Sequence, residues 1–255
     1  MTDMRLRQIA LVAENLEPVA ASLAAVFGLK VAYRDPGVGV FGLVNVVMPV
    51  GGEFLEIVQP VRPDASAARY LRRRGGDAGY MVILQAADAL AHRRRLAEAG
   101  VRLIAESRHA GYQYTHFHPA DCAGVLTSID SVEGDAAWRE PLSDWPPAGP
   151  DWRGFAADAA LGIVAVDIQS RDPAAAATRW AELLQAEVSN QTEIRLARGV
   201  IRFTPPVDAD GTGVVGLDIA VADPAAILAA ARDLGLPQTD GAALIGGVWM
   251  RPVAA

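Results

Sequence analysis

The chain has 255 residues, 51% of them hydrophobic, and a formal net charge of −7 at neutral pH. It holds enough apolar material for one large core or two ordinary ones, and it lacks the concentrated positive field that a nucleic-acid surface needs. Cys122 is the single cysteine, which excludes an internal disulfide and makes a reducing, cytoplasmic location the expectation. Eighteen apolar residues never run together, and charges interrupt the N-terminal stretch where a signal peptide needs an apolar core, so a soluble protein without membrane contact is expected.

In chain order, the first β-like run is RQIALVA from Arg7. A helical stretch follows, opened by Asn15 ahead of Leu16-Glu17-Pro18 and closed by Gly28. These are an acceptor for the free N–H groups at one end and a left-handed cap at the other. VAYRD, VNVVMPV and EFLEIVQP then read as three short strands. Arg72-Arg73-Arg74, ahead of Gly75-Gly76, reads as a solvated loop, with a phosphate or thioester-nucleotide contact as the sharper alternative. The pattern then restarts. GYMVILQA from Gly79 leads into a helix that Asp88 opens and Gly100 ends, and RLIAES, YQYTHFHP and GVLTSID follow as strands.

Residues 131–157 break any period with Pro and Gly and read as a linker between a first domain, 1–130, and a second, 158–255. Trp138, Trp145 and Trp152 fall within it. That much aromatic area is costly to leave in water, so the segment is expected to pack across the two domains, a tryptophan-lined lid being the alternative. Beyond it the unit occurs twice more, from LGIVAVDI at Leu161 and GLDIAVAD at Gly216. Asp172-Pro173 and Asp223-Pro224 open the helices, each pairing an N-cap acceptor with a proline suited to the first turn. The reading is βαβββ, four times.

RQIALVAENLEPVAASLAAVFGLKV, EFLEIVQP and FHPADCAGVLTSID make residues 5–130 resemble the vicinal oxygen chelate superfamily, which includes glyoxalase I, methylmalonyl-CoA epimerase, bleomycin-resistance proteins and extradiol dioxygenases. The glyoxalase and epimerase branches are nearest in style, and residues 158–253 resemble the superfamily more weakly. The resemblance implies an α+β fold of four βαβββ modules, forming two open mixed β-sheet barrels with helices on the outside. It also implies metal ligands on the first and fourth strands of each module, where four N or O donors suit a divalent metal. Carried over, those positions are Gln8, Glu56, Tyr80 and Ser128 in the first barrel, and Gly162, Arg202, Asp218 and Met250 in the second. Only Gln8 and Glu56 are ordinary ligands, so the metal site is read as degraded, and any divalent metal would rest on Gln8, Glu56 and His116. Arg202 and Asp218 are expected to form a buried ion pair, an arginine that holds a substrate carboxylate being the alternative.

His116 and His118 share one strand face, and His116 is counted among the ligand contacts with Gln8, Phe54, Val58 and Ser128. Glu56, with Phe54 and Val58 at the same parity, is the candidate base. An apolar setting raises a carboxyl toward neutrality, as removal of a proton next to a carbonyl requires. Tyr80 is the partner donor for the developing enolate. Cys122 is a poor nucleophile because Asp121 beside it would raise its pKa, and Lys30, the only lysine, leaves little scope for a Schiff base.

Two readings stay open. One is a small enzyme, an isomerase, epimerase or lyase, acting on an oxo acid, an aromatic compound or an acyl thioester. The other is a non-catalytic small-ligand binder of bleomycin-resistance type. An extradiol dioxygenase is a poorer third, because neither barrel supplies two histidines and a carboxylate. A monomer or homodimer is expected.

Overall fold

In a computed structural model of the protein, residues 3–109, 111–239 and 241–255 are described. The first unit is β1 (Met4–Val12), α1 (Leu16–Phe27), β2 (Leu43–Val50) and β3 (Glu53–Pro60), followed by α2 (Ser66–Arg74). The second is β4 (Ala78–Ala86), α3 (Ala89–Glu98), β5 (Leu103–His109), β6 (Tyr112–Phe117) and β7 (Leu126–Val132). Together they make a seven-stranded sheet in the order β2-β3-β1-β4-β7-β6-β5. β1 and β4 meet antiparallel at its centre, and each runs parallel to the last strand of its own unit, β3 or β7.

The second half repeats the plan. Its third unit is β8 (Ala160–Gln169), α4 (Pro173–Leu184), β9 (Val188–Ser189), β10 (Glu193–Arg195) and β11 (Val200–Thr204). Its fourth is β12 (Gly213–Val221), α5 (Pro224–Asp233), β13 (Gln238–Thr239), β14 (Ala242–Ile245) and β15 (Val248–Ala254). They form an eight-stranded sheet, β13-β14-β15-β12-β8-β11-β10-β9, with β8 and β12 antiparallel at the centre and β11 and β15 parallel to them. The architecture is thus mixed α+β, two sheets built from four repeats of one plan, complete as βαβββ in the last three and shortened to βαββ in the first.

Helix starts follow the sequence signals. Asn15 accepts from the Glu17 N–H, Asp88 from Ala91, Asp172 from Ala175, and Asp223 from Ala225 and Ala226. Leu16, Val19, Leu23 and Phe27 fall on one side of α1 and are buried against the sheet, and Trp180 of α4 is fully buried. The largest apolar core cluster runs through side chains of both sheets and of α1, α3, α4 and α5, and two smaller ones lie around Phe54, Trp145 and Trp152 and around Val58, Leu71 and Ala78. The helix-bearing faces of the two sheets therefore share the largest core, and the cavity lies on the opposite face of the first sheet.

Two local readings change. VAYRD is not a full strand but a single bridge, Tyr33 to Val47, because Asp35 caps the Gly-rich turn Pro36–Phe41 and pulls the chain out of the sheet. Arg72-Arg73-Arg74 is not a solvated loop but the last turn of α2. There Arg74 pairs with Asp208 at 2.7 Å and Asp210 at 3.1 Å, and Arg73 reaches Asp210 at 3.2 Å, so two of the three cations are spent between the halves. Among the described residues no helix is long and apolar enough to cross a membrane.

Candidate functional site

The concave face of the first sheet holds a cavity of about 760 Å³. Glu56 of β3 lies at its wall, almost fully buried, between two amides. Gln8 Nε2 donates to one carboxylate oxygen at 2.8 Å, and Asn45 Nδ2 to the other at 2.6 Å. Both amides are locked. The Trp145 indole N–H can only donate, so its 2.7 Å bond fixes the Gln8 carbonyl oxygen toward Trp145 and the NH2 toward Glu56. In the same way the Asp35 backbone N–H, 2.8 Å from Asn45 Oδ1, turns the Asn45 NH2 to Glu56. Burial pushes the Glu56 carboxyl above its ordinary pKa, and the two amide hydrogen bonds oppose that shift.

Irregular strand pairing helps build the site. The β1–β4 register slips between Leu6 and Gln8, so the consecutive side chains of Arg7 and Gln8 both reach Trp145, with the Arg7 guanidinium 5.1 Å from its ring. A second slip, between Ala10 and Leu11, skips Tyr80, and Tyr80 and Met81 both line the cavity. Among the described residues the Tyr80 hydroxyl makes no hydrogen bond. Burial first, then Tyr70 and the nearby Glu56, push it up to about 12, so it is a standing donor at neutral pH.

A second carboxyl, Asp130 of β7, lines the same cavity and was not singled out from the sequence. Tyr112 donates to its Oδ2 at 2.5 Å and Ser128 to its Oδ1. Burial raises Asp130 to about 7, against the lowering effect of those two bonds. The signal for it was present: Asp130 has the same strand parity as Ser128, two residues earlier. Ser128 itself is fully buried and acts on Asp130 rather than on the cavity.

Of the other expected contacts, Val58 and His116 line the cavity, whereas Phe54 does not. Trp145 stacks on Phe54 at 6.3 Å and Trp152 meets it edge-on at 4.9 Å, sealing it beneath the linker. The linker is accordingly part of this site. It is held by Arg7, fully buried and without a carboxylate partner among the described residues, which donates to the Gly52 carbonyl at 2.6 Å and the Ser143 carbonyl at 2.7 Å. Burial lowers Arg7 to about 8. The approach is so close that a Cβ at Gly52 would lie 2.2 Å from the Pro141 carbonyl oxygen.

The donors do not fit the metal that the resemblance implies. The oxygen of Gln8, its ligating atom, is turned away to Trp145, and a donor NH2 faces Glu56 instead. His116 sits among Phe41 and Tyr114, and among the described residues no three His, Cys, Asp or Glu side chains converge. In the second sheet the corresponding place is filled by charge. Arg202 bridges Asp167 at 2.6 Å and Asp218 at 2.7 Å, and Arg251 closes the ring on the same two carboxylates. Gly162 and Met250 are not members of this set. A Cβ on Gly162 would meet Glu53, and Met250 is buried in the core on the helix side. Asp167 and Arg251 take their places.

Two curled βαβββ sheets with a cavity on the concave face define a glyoxalase-like protein of the vicinal oxygen chelate superfamily. The chain belongs to the Glyoxalase-like domain family, whose model matches residues 9–184. Among solved structures, a variant of 4-hydroxymandelate synthase from Streptomyces coelicolor is similar over 92% of this chain and 76% of its own, at 19% identity and a TM-score of 0.68. Methylmalonyl-CoA epimerase from Streptomyces coelicolor, in complex with 2-nitronate-propionyl-CoA, covers 50% of this chain and 96% of its own, at 21% identity and a TM-score of 0.46. The epimerase from Mycobacterium tuberculosis matches at 20% identity over 50% of this chain and 87% of its own, with a TM-score of 0.46. No curated protein matches the chain.

Proposed function

We propose that the protein is a small-molecule enzyme that removes and returns a proton next to a carbonyl, without a metal, with Glu56 as the base. The observation that carries this reading is Glu56 itself, a carboxylate raised by burial, fixed between two locked amides and open to a cavity of about 760 Å³. Each carboxylate oxygen has two lone pairs, and one amide donor leaves the other free for a substrate C–H. As that bond breaks, its electron pair moves to the carbonyl oxygen, and the unpartnered Tyr80 hydroxyl is the donor for the resulting enolate. Asp130, near pKa 7, is partly protonated at neutral pH and can return a proton from β7, the strand beside that of Tyr80.

The test is hydrogen–deuterium exchange at the carbon next to the carbonyl, followed by proton NMR in D2O with a panel of ketones and oxo acids. Glu56→Gln is expected to lower enzyme-dependent exchange by about 10²-fold or more. Exchange by Glu56→Gln at the wild-type rate removes Glu56 as the base. Binding with no exchange by the wild type supports the second reading, a ligand-binding protein, for which the occupied hydrogen-bonding positions on Glu56 also speak.

A further inference from the structure

One wall of the first cavity is a ladder of rings. From the turn after Asp35 to the linker the centroid steps are Phe41 to His116, 5.7 Å; His116 to Tyr114, 4.7 Å; Tyr114 to Tyr112, 6.2 Å; and Tyr112 to Trp145, 5.5 Å. Three of them, Tyr112, Tyr114 and His116, are alternate residues of β6, which is why they stand on one face. His116 has no hydrogen bond to any described residue, and its free surface is on the cavity. Burial lowers it to about 4, so at neutral pH it is an uncharged imidazole with one donor and one acceptor nitrogen to offer.

Charge around the same space is one-sided. The cavity is bordered by the carboxyl groups of Asp35, Glu56, Asp64 and Asp130, and by one guanidinium, Arg62, which lies 3.8 Å from Asp64. An anionic ligand would enter against these four carboxyls with Arg62 as the one cation to receive it among the described residues of the lining, and desolvating a charge against like charge is costly. The phosphates of a nucleotide thioester would meet Asp35 and Asp64 on the rim.

From the ring ladder, the unpartnered imidazole and the acidic border, we infer that the first cavity takes a planar aromatic carbonyl compound that carries no negative charge, its ring against the β6 face and its polar group read by His116. This rests on the proton-transfer reading for the carbonyl but not for the ring, and the two can fail separately.

The experiment uses the full chain in D2O and three probes: acetophenone, cyclohexyl methyl ketone and benzoate. Dissociation constants come from saturation-transfer NMR at pH 7. Acetophenone is expected to bind at least ten-fold more tightly than the other two, and His116→Leu and Tyr114→Ala to reduce that preference to within about three-fold. Equal binding of the cyclohexyl ketone overturns the aromatic subsite, and benzoate binding as tightly as acetophenone overturns the exclusion of anions. The same samples report methyl-proton exchange. Acetophenone bound selectively without exchange sinks the base at Glu56 and leaves the subsite standing, whereas exchange of both ketones with equal affinity does the reverse.

Discussion

The indole N–H of Trp145 donates to the side-chain oxygen of Gln8 at 2.7 Å, across 137 residues of chain. Through that bond a linker residue decides which way an amide on the first strand faces, and the amide in turn presents its NH2 to Glu56. The linker is therefore a wall of the site as well as a connection between the sheets.

Trp145→Phe keeps an aromatic ring against Phe54 and Tyr112 and removes the donor, together with part of the buried indole. It leaves a buried amide oxygen unpaired, at a cost of about 1–3 kcal/mol, to be read by urea denaturation. Gln8 is then free to turn its oxygen toward Glu56, and losing a donor disfavours the carboxylate. Glu56 should ionise at a higher pH than in the wild type, by carbon NMR of the carboxyl group. An unchanged titration would show that Trp145 does not orient Gln8.

Because Asn45 is locked as well, Glu56→Gln sets an NH2 against one of two fixed donors. The variant should lose about 1–3 kcal/mol. Adding Asn45→Asp restores a full set of partners: Gln8 to the new carbonyl, the new NH2 to the new carboxylate, and the Asp35 N–H as before. The double variant should be more stable than Glu56→Gln alone. If it is less stable in denaturant, the locked-amide account fails.

The architecture was legible because its signals are local and repeated: an acidic or Asn cap, an apolar helix face and short strands, four times over. Gln8 and Glu56 followed from the family resemblance, and Val58 from its strand parity with Glu56. Strand irregularity hid the rest. The slips at Arg7 and Tyr80 put consecutive residues on one face, which a period of two cannot anticipate. The resemblance pointed to Ser128, although its neighbour at the same strand parity, Asp130, is the group that reaches the cavity. Trp145 was read as packing because nothing in its surroundings along the chain indicates that its N–H meets a residue 137 positions away.

Asp130 predicts a pH dependence. Its carboxyl is raised from 3.8 to about 7 in the folded chain, so folding favours the protonated form. The stability it contributes is complete below the unfolded value and is lost as pH rises through about 7. Over that window the loss is about 4 kcal/mol at most. In Asp130→Asn the group no longer titrates, and the Ser128 and Tyr112 hydroxyls can reorient to serve an amide. The stability of the wild type relative to the variant should therefore fall between pH 4 and 7 and level off above. A difference that is flat with pH, or that rises, contradicts the assignment.

The second sheet makes a different prediction, because its four charges alternate around a ring and each holds two partners. Asp167 and Asp218 are largely buried, whereas Arg251 is more open to water than Arg202. Arg202→Met leaves two carboxylates close together with one exposed cation between them, and the cost should be about 2–3 kcal/mol, short of a fully buried pair because water still reaches the ring. Arg251→Met should cost less. The destabilisation in Arg202→Met comes from surplus negative charge as well as from a lost contact, so Asp218→Asn added to it should recover part of the stability, although alone it removes a partner from both arginines. Thermal denaturation of the two single variants and the double variant closes this cycle. Strict additivity would mean that the ring does not act as a unit, and that the second sheet is held by its core alone.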